Sequence, residues 1–131
     1  MVYRLDITAR LHRRMLEIVG TALPLMAGSR DDADMIGLAH LREEMVDAMD
    51  TYCRHVHHLR DDGRVSRTAG QALVDGCTRL RAAYEAFRAR WIHRDGIEHW
   101  YEYRLSAVVM MKQVRSHVQQ AETVRTAGEA A

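Results

Sequence analysis

The sequence has little of what breaks, staples or flattens a polypeptide. It holds one proline, Pro24, in 131 residues, so long helices can run without interruption. It has two cysteines, Cys53 and Cys77. A disulfide-stapled secreted fold carries more, in a shorter chain. Counted along their helices, these two also fall about a turn out of level for a disulfide, so a reduced, cytoplasmic setting is expected. β-branched, alternating stretches are absent, which excludes a sheet protein. No stretch approaches the roughly 18 apolar residues of a membrane span. The opening segment "MVYRLDITARLHRRM" carries charges throughout and does not read as a secretory signal. Charge excess is also missing. There are 19 basic and 18 acidic residues, a net charge of +1, which argues against a protein devoted to gripping nucleic acid. No Gly-rich phosphate loop, Ser-His-Asp pattern or CxxC pair occurs, and no acid–base pair stands out as catalytic.

What remains is amphipathic helix. Helix 1 is expected over about 4–26, where Leu11, Met15, Ile18, Ala22 and Leu25 recur at alternating steps of four and three. A break at "AGSRDD" offers Ser29 with Asp32 as a capping-box variant. Helix 2 follows over about 31–60, with Leu38, Leu41, Met45, Met49, Tyr52, Val56 and Leu59 as its apolar stripe. After "DDGRVS", Ser66 is the expected N-cap of helix 3, whose seam is Leu73, Cys77, Leu80, Tyr84, Phe87 and Trp91. Helix 4 is expected over about 97–124 through Trp100, Ala107, Met111, Val114, Val118 and Ala121, with 124–131 as a frayed tail. Four helices of similar length on short loops predict a single all-α, up-down-up-down antiparallel four-helix bundle spanning 1–131.

Histidine is the conspicuous polar residue, with eight in the chain, and "YCRHVHHLRDDG" concentrates it. At about 100° per residue, one helix cannot aim residues 55, 57 and 58 at one point. Tyr52 faces the core and His55 its edge, whereas His57 and His58 point to solvent. His40 lies on an outer face without a phosphotransfer motif around it. His12, in contrast, sits within the apolar face of helix 1, and His117 on the core face of helix 4. Counting turns from the helix ends puts His12, Tyr52, His55 and His117 in one layer at one end of the bundle. Core histidines there can satisfy each other, a tyrosine or water. They can also converge on a metal, because neutral imidazole suits iron or zinc. Cys53 is either an accessory ligand or core packing.

"LHRRMLEIV" and "HVQQAE" resemble the first and fourth helices of hemerythrin-like domains, in which a histidine of helix 1, and a histidine followed five residues later by a carboxylate in helix 4, ligate iron. The resemblance implies His12, His117 and Glu122 as ligands of a non-haem iron site with a binding or sensing role. His55 and Tyr52 are lesser candidates, Tyr52 as a hydrogen-bond partner or phenolate ligand, and Glu122 balances charge. The family's second-helix His and Glu correspond to Tyr52 and Val56. Its paired third-helix histidines have no counterpart, the early core positions there being Gly70 and Leu73. The two-iron ligand set is thus incomplete, leaving one metal (iron or zinc), a differently built site, or none. The alternative expectation is a metal-free interaction bundle, acting as a homodimer or with a protein partner, through exposed aromatics near Trp91 and Tyr101.

Overall fold

The computed structural model describes the backbone of residues 2–130 and the side chains of residues 7–127. It is all-α, with α1 over Val2–Leu25, α2 over Met35–Asp61, α3 over Arg67–Ile92 and α4 over Trp100–Ala130. Each helix packs on its chain neighbour, and α1 closes the ring against α4. This is the expected up-down bundle.

Local chemistry sets each helix end. Ser29 does not cap α2: its hydroxyl bonds Asp32 at 3.1 Å, in a one-turn 3₁₀ helix over Arg30–Asp32. α2 starts later, where Asp34 accepts from the Gly37 amide at 2.8 Å. Its C-terminus is a Schellman turn. The Gly63 amide bonds the Arg60 carbonyl, the Arg64 amide bonds the Leu59 carbonyl, and Gly63 takes the left-handed φ of 66° that the turn demands. Ser66 caps α3 as expected, accepting from the Ala69 amide at 3.1 Å. α4 starts at Trp100 rather than Ile97, because the Asp95 carboxylate takes the Ile97 and Glu98 amides into a preceding turn. The helix continues past Val124 to Ala130, and Ala131 lies outside the described residues.

The predicted stripes form the core. Met15, Ile18 and Ala22 of α1, Met45, Met49, Tyr52 and Val56 of α2, the whole α3 seam, and Ala107, Met111, Val114 and Val118 of α4 are buried in one cluster. α2 and α3 approach closely near their shared loop. A Cβ on Gly70 would lie 3.2 Å from the Arg60 Cα, so a side chain here would have to push α2 outward.

The two ends of the bundle differ. At the α3–α4 loop, Phe87, Trp91, Trp100 and Tyr103 form an aromatic cluster, with the Trp91 and Tyr103 rings 5.0 Å apart and edge-on. Trp91, one of the two aromatics named as possible contact residues, is buried here, whereas Tyr101 is 80% exposed. The opposite end is polar, and His12, His55, His57, His58 and His117 lie toward it.

Candidate functional site

The polar layer is built from three helices. α1 contributes Thr8 and His12, one turn apart on the same face, and these are the buried polar side chains among the described residues. α2 contributes Tyr52 and His55. α4 contributes His117, Glu122 and Arg125. His12 is 3% exposed and Tyr52 is fully buried.

His12 bonds through Nδ1 to Glu122 Oε1 at 2.5 Å. Burial depresses the His12 pKa, partly offset by the hydrogen bond and charge of Glu122, so the ring is neutral near pH 7 and donates Nδ1–H to the carboxylate. Burial works against the charged form of Glu122, but bonds from Arg125 and His12 outweigh it and hold the pKa below the usual carboxylate range. Arg125 reaches the other oxygen, Oε2, at 2.5 Å. With Nδ1 protonated, His12 Nε2 carries a lone pair. It is buried and finds no hydrogen-bond partner among the described residues.

Tyr52 stands between the two imidazoles. Its ring centroid is 5.0 Å from that of His12 and 5.4 Å from that of His117, the latter edge-on. Its hydroxyl lies 2.9 Å from His117 Nε2. Burial raises the phenol pKa, so Tyr52 keeps its proton and donates it to that nitrogen. Burial, with help from His12 and Arg79, lowers the His117 pKa to about 4. His117 is therefore neutral near pH 7, with Nε2 accepting. The other edge of its ring faces Gly76, where a Cβ would lie 3.3 Å from Cε1. A cleft between α3 and α4, lined by Gly76, Arg79, Gln113, Ser116 and Gln120, opens this histidine to solvent.

The layer thus brings together His12, Tyr52, His117 and Glu122. His55 joins its edge instead, 2.6 Å from the Thr8 hydroxyl. His57, His58 and His40 are exposed. His117 and Glu122 share a helix but do not act together. Five residues correspond to about 140° of rotation, which sends His117 toward α2 and Glu122 toward α1. Arg125 and Thr8 went unnoticed in the sequence. An arginine near a helix end and a threonine inside an apolar stripe are common surface and core features, and neither carries a spacing signal.

The two-iron ligand set implied by hemerythrin-like domains does not fit. Tyr52 and Val56 are fully buried core residues, and Gly70 and Leu73 belong to the α3 packing face. Among the described residues no group of three or more His, Cys, Asp or Glu is arranged to hold a metal ion. No helix among them is long and apolar enough to cross a membrane. The fold is a four-helix all-α bundle with an imidazole–phenol–imidazole layer at one end. Compared with known proteins, the chain matches no family model, no curated protein sequence and no solved structure.

Proposed function

We propose that the protein is a hemerythrin-like bundle whose polar end takes up one metal ion, iron or zinc, in a binding or sensing role. One observation carries this reading. A buried His12 Nε2 has no partner, while its Nδ1–H is held by a carboxylate. Metal-ligating histidines are oriented in this way, and the carboxylate on the far nitrogen makes the imidazole a better donor. In this reading His12 supplies Nε2, and His117 and Tyr52 are the adjacent donors in the layer. Glu122 positions His12 rather than binding the ion, and the cleft beside His117 is the entry path. Bound metal would supply a Lewis-acid or redox centre.

The test is elemental analysis of protein purified without an affinity tag, together with uptake of added Fe(II) or Zn(II). Near-stoichiometric metal, lost in His12→Ala and weakened about 10–100-fold in Glu122→Gln, is the expected result. A metal-free protein that takes up neither ion would remove the reading.

A second reading, a metal-free module that self-associates, is favoured by a different observation. Tyr101, Leu105 and Val109 are exposed by 80%, 68% and 47%, and lie four residues apart along one stripe of α4. Exposed Glu98 and Lys112 flank this stripe at its two ends. A second copy laid antiparallel with Leu105 against Leu105 sets Glu98 opposite Lys112 and Tyr101 opposite Val109, so the stripe is complementary to itself in both charge and apolarity. Sedimentation velocity should then show a dimer that Leu105→Glu dissociates. A monomer at high micromolar concentration would dismiss the dimer without touching the metal reading.

A further inference from the structure

The two cysteines are not out of level. Cys53 lies eight residues before the end of α2 at Asp61, and Cys77 ten residues after the start of α3 at Arg67. In an antiparallel pair, that two-residue difference is about 3 Å of rise, within side-chain reach. The Cys53 thiol donates to the Cys77 backbone carbonyl, with Sγ to O at 3.7 Å. The Cys77 thiol turns back to the Val74 carbonyl at 3.3 Å. Both cysteines are free thiols, Cys77 buried and Cys53 half-buried, so Cys53 is the more exposed of the pair.

We propose that Cys53 and Cys77 are a site of reversible oxidation, a dithiol that hydrogen peroxide converts into a disulfide joining α2 to α3. One sulfur, as thiolate, attacks a peroxide oxygen and the O–O bond breaks. Sulfenic acid forms, and the departing hydroxide takes up the released proton as water. The second sulfur, as thiolate, attacks the sulfenic sulfur, the S–S bond forms, and the oxygen leaves as a second water. Two thiols and one peroxide give one disulfide and two waters; sulfur is oxidised and peroxide reduced. Closing the bond requires Cys77 to release its weak contact with Val74. The bridge adjoins Tyr52 in sequence, so oxidation ties together the two helices beside the polar layer.

The experiment is treatment of the reduced full chain with a few equivalents of hydrogen peroxide, followed by denaturation in N-ethylmaleimide and intact mass measurement. The expected product is lighter than the reduced chain by about 2 Da, carries no maleimide, and recovers two alkylatable thiols in dithiothreitol. Tryptic digestion should link peptide 43–54 to peptide 68–79, since Arg42, Arg54, Arg67 and Arg79 bound them. Cys53→Ser should show no such mass loss. Two maleimide adducts after peroxide, a Cys53 sulfinic acid heavier by about 32 Da, or a covalent dimer would each overturn the proposal.

Discussion

Replacing Tyr52 by alanine is expected to cost about 3–5 kcal/mol of folding stability, the usual range for removing a large buried aromatic side chain. The side chain is fully buried, and its ring fills the space between the His12 and His117 rings. A domain of this size is stable by roughly 5–15 kcal/mol, so the variant would sit near the edge of folding. Tyr52→Phe separates the ring from the hydroxyl. It keeps the packing but takes away the donor 2.9 Å from His117 Nε2. A buried acceptor left without a donor costs about 1–3 kcal/mol, and the cleft beside His117 lets water repay part of this, so about 1 kcal/mol is expected. Urea unfolding followed by far-UV circular dichroism at pH 7.5 compares the two. A neutral Tyr52→Phe would mean that water replaces the phenol completely. A Phe variant as unstable as the Ala variant would mean that the polar bond, not the ring, organises the layer.

The helical period made the bundle legible. Steps of three and four placed Met45, Met49, Tyr52 and Val56 on one face, and the α3 seam from Leu73 to Trp91 is buried at each named position. Level was legible as well, because in an up-down bundle residues equally far from neighbouring helix ends meet; His12, Tyr52 and His117 do so. The misses arise where geometry finer than one turn decides. The α2 start depends on whether Ser29 or Asp34 supplies the cap, and both are ordinary N-cap residues. The family resemblance pairs Glu122 with His117, but its rotation around α4 delivers it to His12, on another helix. For Cys53 and Cys77, a turn of apparent mismatch disappears once an offset of two residues is set against the length of two side chains. Sequence spacing along one helix fixes direction well; contact between helices depends on offsets of a few ångströms.

Acidification from pH 7.5 to pH 5 is expected to destabilise the bundle through His117. The folded-state pKa is about 4, depressed by burial from an ordinary value of 6.5. Between those values the unfolded chain binds a proton that the folded chain refuses, so stability rises with pH. The contribution is fully present above about pH 6.5 and is lost as the pH falls toward 4. The shift is worth about 2 kcal/mol at pH 5, and screening through the open cleft reduces this to about 1–2 kcal/mol. The lowered pKa of His12 acts in the same direction. Glu122 adds a further loss only below its ordinary value of 4.5, where its depressed pKa makes protonation unfavourable in the folded state. Urea midpoints at the two pH values, measured for the native chain and for His117→Gln, isolate the imidazole. The variant lacks the titrating group, so its pH dependence should be flatter by that amount. An equal slope in both proteins would place the acid sensitivity elsewhere and show that His117 exchanges protons with solvent through the cleft as freely as in the unfolded chain. A metal held by His12 and His117 would steepen the same curve, because protons and metal compete for the imidazole nitrogens. The difference in slope between metal-loaded and chelator-treated protein therefore reads the end layer directly, by a route independent of elemental analysis.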